Sequence, residues 1–480
     1  MGVLSGLKPE ALFSYFEEIS AIPRGSEVRE GIRDYLVSFA KKNNLEYYAD
    51  EADNVIIYKD ATEGYENADK VILQGHTDMV WQKTEDSDID FEKEGIRLYV
   101  DGDFIKAKGT TLGADNGLGV AATLSILADK TLKHPGIEAV FTSDEEIGMI
   151  GAMKLDMSKL SGKKLINLDA EEPDVLTVSC AGGSDFVIKA PVKRKMAKGF
   201  LAQIKISGLT GGHSGIQIAE GRVNADILLG RILNHLSMKT DFEVVDLYGG
   251  TKANAIPVSS SSYILLKDEK TFEKEFYDYI DIIKEEISER EPSFEAKLTL
   301  KSPTSLNVFM QGCGKKIIRA LAFAPNGVME MSKEIENLVE TSLNLGIMET
   351  ENDYVKMHFA LRSNKESALS ALEEKMVALS EAMGFEWETF GHYPPWEFKK
   401  NSNLQEIYKK VFKEKTGKEP LVEAIHAGLE CGVFSSGIEG LDAIAIGAYM
   451  TDVHTVSERL SISSTEIFYD ILVKVLENCR

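Results

Sequence analysis

Three short apolar runs, each stopping at a cluster of acids or histidine, constrain this chain more than any other feature. The first, Val71-Ile72-Leu73-Gln74-Gly75, opens onto His76-Thr77-Asp78. The second, Ile137 to Thr142, ends in Ser143-Asp144-Glu145-Glu146, and the third, Leu165 to Leu168, ends at Asp169. Apolar runs of this length without polar alternation read as strands buried on both faces, the habit of parallel sheets covered by helices. Helical patterns separate them, so the expectation is an α/β sheet whose functional groups gather at the carboxyl ends of its strands.

Each cluster has a chemical and a bland reading. His76 and Asp78 are two apart, so in an extended chain they point to one side. A carboxylate there orients the ring of a metal-bound histidine; a satisfied histidine at a strand end explains the pair equally well. Asp115 lies in the glycine-rich loop Lys108 to Gly117, which opens a helix carrying Leu118, Val120, Ala121, Leu124 and Leu127. It is either an anion placed at a helix N-terminus or an ordinary N-cap. Glu145 and Glu146 can divide labour, one holding metal while the other serves as general base. A fourth buried run, Ala443 to Ala448, precedes Thr451 to Glu458, and the strand pattern would bring His454 to the same sheet edge.

His76, Asp115, Glu146, Asp169 and His454 together offer two imidazoles and three carboxylates. That set suits two divalent cations about 3.5–4 Å apart sharing one bridging carboxylate. Asp78 would then orient His76, and Glu145 would take the proton of the attacking water. Nitrogen and oxygen donors without thiolate favour zinc, with manganese or cobalt as alternatives.

Length and charge narrow the setting. At 480 residues two domains are expected. A net charge of −23 argues against nucleic acid or an anionic membrane as partner. There is no apolar stretch long enough to span a bilayer and no evident signal peptide. Cys180, Cys313, Cys431 and Cys479 are scattered without metal-site spacing, which fits a reducing cytoplasm. The N-terminal region reads as scaffold. One helix carries Leu12, Phe16 and Ile19; a second, capped by Ser26, buries Ile32, Leu36 and Phe39; nothing before Gly75 carries a catalytic signal.

Composition shifts after Ala181-Gly182-Gly183-Ser184, and strands then alternate with long amphipathic helices, one near Thr271 to Arg290, until Pro394-Pro395. The expected division is residues 1–184 and 394–480 for one domain and 185–393 for an insertion. In the insertion, Gly208 to Gly215 surrounds His213 with glycines, a loop better suited to facing a ligand than to packing. Gly249 to Pro257 is a second polar loop. Arg362, on a strand, is either a bidentate clamp for a carboxylate or one half of a surface ion pair.

The stretches GHTDMV, LGADNG, TSDEEIG, LDAEE, GGHSG and DVHTVSE resemble the motif set of the M20 metallopeptidases. IHAGLECGVF, GGTKANAIP and the large insertion are most similar to the aminoacyl-histidine dipeptidase (PepD-type) branch. The resemblance runs over nearly the whole chain. It implies a zinc-peptidase-like α/β catalytic domain built from the two chain ends, an inserted α+β lid domain, and a homodimer formed through the lid. Its metal ligands fall on His76, Asp115 as bridge, Glu146, Asp169 and His454, and its catalytic pair on Asp78 and Glu145. Its oxyanion-stabilising histidine falls on His213, contributed in some members by the partner subunit. Asn254, Arg362 and Gly428 match positions that bind the substrate's backbone and C-terminal carboxylate. The implied activity is metal-assisted hydrolysis of dipeptides (Xaa-His, β-Ala-His and other unblocked dipeptides), with lid closure restricting substrate length. The alternatives are another M20 activity, such as aminoacylase, carboxypeptidase or tripeptidase, and a noncatalytic metal-dependent peptide-binding protein.

Overall fold

The computed structural model describes residues 2–480. The chain divides into two compact units, the first made of Met1–Cys180, Trp396–Ala424 and Leu429–Arg480, the second of Ala181–Pro395 and Ile425–Gly428. The short return of residues 425–428 to the second unit has no counterpart in the sequence pattern.

The first unit is built on an eight-stranded sheet. Its order is Glu46–Ala49, Val55–Lys59, Ile137–Thr142, Val71–His76, Lys164–Ala170, Asp442–Gly447, Val175–Cys180 and Leu421–Ile425. The four strands from Ile137–Thr142 to Asp442–Gly447 run parallel, and three of them are buried at every residue. That is why their sequences are runs of Val, Ile, Leu and Ala rather than alternations. Val71–His76 lies between Ile137–Thr142 and Lys164–Ala170, so the chain leaves it for one neighbour and later crosses to the other. Crevices of α/β sheets form where connections diverge in this way, outside the carboxyl ends.

The helix Ala114–Ala128 is buried almost throughout and packs against Glu10–Ser20, whose Leu12, Phe13, Phe16 and Ile19 face inward. The helix Glu30–Lys42 buries Ile32, Leu36 and Phe39 as expected, but Ser26 is not its cap. Arg29 holds that position without a side-chain bond, and the Ser26 hydroxyl instead donates to Asp78. A four-stranded sheet of Met450–Thr451, Arg459–Ser461, Phe104–Ala107 and Leu98–Asp101 joins the segment around His454 to the hairpin preceding the Asp115 loop.

The second unit carries a nine-stranded antiparallel sheet with helices Ala225–Ser237, Glu269–Ile287, Gln311–Phe323 and Glu366–Met383. Alternate residues of its strands, such as Phe186, Ile188 and Ala190 or Ala202, Ile204 and Ile206, enter one apolar core. Glu269–Ile287 contributes Phe272, Phe276, Ile280, Ile283 and Ile287 at helical spacing and starts at Asp268, whose carboxylate accepts the Thr271 N–H. Among the described residues, no helix is long and apolar enough to cross a membrane.

Candidate active site

The parallel strands deliver their terminal residues to one place. His76 ends its strand, Glu145 and Glu146 follow Thr142, Asp169 lies near the end of Lys164–Ala170, and Asp115 sits in the first turn of Ala114–Ala128 with non-helical backbone angles. Asp115 Oδ1 is 2.9 Å from His76 Nε2, and its Oδ2 is 3.1 Å from His454 Nε2. Asp169 Oδ1 lies 3.5 Å from His76 Nε2, and Glu146 lies 3.0 Å from His454 Nε2. The five groups thus fall into two halves, His76 with Asp169 and His454 with Glu146, joined by the two oxygens of Asp115. Ligand atoms of His76, Asp115 and Glu146 all lie within 4.8 Å of one another, compact enough to hold a metal ion.

Backbone geometry aims these groups. The Nδ1 of His76 is 3.1 Å from the Asp78 carbonyl, which places the proton on Nδ1 and leaves Nε2 a lone pair for a ligand bond. The Asp78 carboxylate accepts from Ser26 Oγ at 2.7 Å and from the backbone N–H groups of Glu145 and Glu146 at 3.0 and 3.3 Å. It grips the turn of the two glutamates more closely than the imidazole, from which it stands 3.4 Å away. Asp144 and His454 both adopt positive φ, +50° and +61°, and Asp144 is held by the Glu27 N–H and an ion pair with Arg29. Left-handed non-glycine residues of this kind gather at functional sites.

The electrostatics are those of carboxylates crowded together. Burial is the largest influence on Asp169, and with Asp115 beside it the carboxyl is pushed up to about 8 despite His76. Burial also drives Glu145 well upward, with Asp169, Glu430 and Glu146 adding to it and His76 opposing. Asp115 goes the other way: burial opposes its charge, but hydrogen bonds to His454 and His76 hold it low. Hydrogen bonds to Asp115 and Glu146 carry the exposed His454 up to about 11. A cluster with these shifts has the donors and the negative charge to take divalent cations, so the residues present fit such a group.

Residues 72–478 match the sequence profile of Peptidase family M20/M25/M40. The chain belongs to that family. Over 481 aligned residues, 99% of each chain, this M20/M25/M40 peptidase is 35% identical to the cytosol non-specific dipeptidase of Escherichia coli. The crystal structure of aminoacylhistidine dipeptidase from Vibrio alginolyticus is similar to it at a TM-score of 0.93 and 37% identity, covering 99% of this chain and 98% of that one. Aminopeptidase PepT from Bacillus cereus, at TM-score 0.57 and 16% identity over 98% and 99% of the two chains, shares the fold.

In the second unit of this M20/M25/M40 peptidase, His213, Asn254 and Arg362 are neighbours. His213 pairs with Ala255 in a two-stranded ribbon, and the Asn254 carbonyl accepts the Ser214 N–H at 2.9 Å. A Cβ on Gly215 would lie 3.0 Å from the His213 ring, 3.2 Å from Arg362 Nε and 2.5 Å from the His426 carbonyl. Only glycine allows that approach. His213 Nδ1 accepts from the Gly215 and Ile216 amides at 3.2 and 3.1 Å, so the ring proton resides on Nε2. Burial, with Arg362 nearby, lowers its basicity and keeps it neutral. Arg362 Nη1 donates to Tyr393 at 2.8 Å, while its buried Nε has no hydrogen-bond partner among the described residues. Gly428 ends the short segment that follows His426, whose Nε2 is 2.7 Å from Ser342 Oγ and whose Nδ1 is 3.1 Å from Asn364 Oδ1.

Several supporting residues escape a reading by motif. Arg24 and Ser26, in a region that reads as scaffold, touch the Asp78 turn. Glu430 is buried beneath the strand ends, where its carboxylate accepts from Gln74 and, at 2.7 Å, from Thr142. Gln74 continues to Asn167, which accepts the Asp169 N–H. Burial pushes Glu430 up to about 7. The one sequence signal was a polar residue inside each apolar run (Gln74, Thr142, Asn167), which a dry core would not choose.

Proposed function

We propose that this peptidase is a metal-dependent dipeptidase whose centre holds two divalent cations, zinc in preference to manganese or cobalt. The observation that carries the reading is the division of the ligand set by the two oxygens of Asp115. His76 and Asp169 would hold one cation, His454 and Glu146 the other, with Asp115 between them. Such cations supply Lewis acidity, lowering the pKa of water towards neutrality and polarising a carbonyl.

Glu145, beside these ligands and driven upward in pKa by burial, is the general base. It accepts a proton from the attacking water and returns it to the leaving amine. Asp78 fixes the turn on which Glu145 rides. The Nε2–H of neutral His213 is a donor suited to an oxyanion, and Arg362 offers its unpartnered Nε to a substrate C-terminal carboxylate. Asn254 and Gly428 complete the proposed substrate contacts. The names of the Escherichia coli and Vibrio alginolyticus relatives support dipeptides, Xaa-His among them, as the substrate class. A cytoplasmic location and a homodimer through the second unit belong to the same reading.

The test is hydrolysis of carnosine, Gly-His, Ala-Leu, a tripeptide and an N-acetyl amino acid by chelated protein, before and after zinc or manganese is added. Metal-restored cleavage confined to the dipeptides supports the assignment. Cleavage of the tripeptide or the acetylated amino acid alone moves the enzyme to another activity of the family. No cleavage with either metal leaves a peptide-binding role.

A further inference from the structure

Arg24, in the first unit, is a buried guanidinium only 1% exposed. Its Nη1 donates to the carbonyls of Thr77 and Asp78 at 3.1 and 3.3 Å, and its Nη2 donates to the carbonyl of Gly113. A guanidinium taken out of water is costly unless its neighbours compensate. Here the compensation comes from backbone oxygens on two separate turns, one carrying Asp78 and the other leading into Asp115. The chain is shaped around it: a Cβ on Gly113 would lie 2.5 Å from Arg24 Nη2, and one on Gly117 2.7 Å.

Glu458 meets the same turn from its amide side. Its carboxylate is 3% exposed. Oε2 accepts the N–H groups of Leu112 and Gly113 at 2.7 and 2.9 Å, and Oε1 those of Ala114 and Asp115 at 2.8 and 3.4 Å. Four consecutive amides on one carboxylate, with a carbonyl of the same turn on a buried guanidinium, leave residues 112–115 little freedom. Glu458 also stands four residues after His454, so one short segment supplies a proposed ligand and the clamp on another ligand's turn.

We propose that Arg24 and Glu458 are a pair of positioning residues that clamp the Asp115 turn and hold the two halves of the ligand set in register for cation binding. The proposal rests on the reading of Asp115 as the bridge. Neither residue touches the reacting atoms; both act through the backbone of others. Mutation of groups that orient ligands typically lowers metal affinity or activity about 10- to 100-fold.

The experiment compares Arg24→Lys, Glu458→Gln and the double variant with Glu138→Gln in the full-length protein. Glu138 is equally buried, accepting the Ser161 and Gly162 amides at 2.9 Å each, but lies near the amino end of its strand, away from the ligands. Zinc affinity is read by competition with a chromogenic chelator, folding by thermal melting, and kcat and KM on Gly-His. The expected result is an about 10- to 100-fold loss of zinc affinity in each single clamp variant. The double variant should be much less impaired than the product of the two losses, because both act on one turn. Glu138→Gln should melt earlier yet bind zinc like the parent, and kcat should fall more than KM changes in the clamp variants. If Arg24→Lys does not fold, Glu458→Gln alone carries the comparison. Unchanged zinc affinity in the folded clamp variants, or an equal loss in Glu138→Gln, overturns the clamp while leaving the metal centre standing. A parent protein that takes up no zinc overturns the metal-centre reading and the clamp with it.

Discussion

The carboxylate of Asp78 accepts the backbone N–H of Glu145 at 3.0 Å. An aspartate two residues beyond a metal-type histidine is usually thought of as that histidine's orienting partner, yet here its shortest hydrogen bonds are to Ser26 and to the turn of the proposed general base, with the imidazole 3.4 Å away. All three of those partners are donors. Asp78→Asn would replace one acceptor oxygen by an NH2 group facing an N–H or O–H, so the turn should shift. The expected outcome is a fall in kcat on the order of 10- to 100-fold with zinc saturating and a smaller change in KM, read by steady-state kinetics. Unaltered kcat would remove Asp78 from the machinery.

Glu145→Gln keeps the shape of the side chain and removes its ability to accept a proton. Turnover should drop about 10²- to 10⁴-fold, the usual contribution of a positioned general base. Bound zinc, measured by atomic absorption, should stay near the parent's level, since Glu145 is not among the proposed ligands. A variant that retains full activity rules out this base.

Without cations, Asp169 is pushed up to about 8, by burial first and by Asp115 next, while hydrogen bonds to Asp115 and Glu146 carry His454 to about 11. Both therefore hold protons at pH 7 that a metal must displace. Adding zinc to chelated protein in weak buffer at pH 7 should release protons, visible with an indicator dye. It should also raise the melting temperature, by about 2.7 kcal/mol of stabilisation when free zinc is 100 times its dissociation constant. Zinc that neither acidifies the solution nor moves the melt in calorimetry would argue against a cation in this cluster.

Asp226 offers a pH test far from any proposed ligand in sequence. It is fully buried in the second unit, neither carboxylate oxygen has a hydrogen-bond partner among the described residues, and burial pushes it up to about 7, against a weak pull from Ser260. The Ser260 hydroxyl is itself committed to the Tyr248 carbonyl at 3.2 Å. Because the folded value lies above the unfolded one, the folded state binds the extra proton. Its stabilising contribution is complete below the unfolded value near 4 and is lost as pH rises through about 7. Asp226→Asn should therefore melt above the parent at pH 8 and close to it at pH 4. The opposite ordering at pH 8 would show that the carboxylate is ionised and paired.

The meeting of His76, Glu146 and Asp169, three of the proposed ligands, was legible because each stands at or just beyond the point where an apolar run stops. His76 and Asp169 lie at the ends of neighbouring parallel strands and Glu146 just beyond a third, and His454 joins them because Asp442–Gly447 adds beside Lys164–Ala170. The supports were not legible in the same way. Arg24 and Glu458 act on backbone carbonyls and amides of turns far away in sequence, and a backbone group carries no residue type for a motif to record. Ser26 was misread as a helix cap because its type and place suit one; the partner it found, Asp78, is 52 residues distant. In the second unit, the strands Phe242–Gly249 and Val339–Thr350 are hard to read from sequence. Their polar residues, among them Asp246, Asn344 and Glu349, break up the apolar alternation that marks a strand in sequence.

Asp115 and His454 meet across 339 positions of the chain, and this spacing bears on how the enzyme comes into being. A polypeptide still leaving the ribosome has His76, Asp115, Glu146 and Asp169 in hand long before it has the segment carrying His454 and Glu458. Until that segment emerges and joins its strand to the hairpin at Phe104–Ala107, the fifth proposed ligand is missing and the Asp115 turn lacks its carboxylate. Completion of the proposed ligand set thereby waits for residues 454–458. On the proposed reading, a chain interrupted before residue 454 carries most of the motifs but neither His454 nor Glu458, so synthesis itself sets the moment at which the proposed ligand set is first complete.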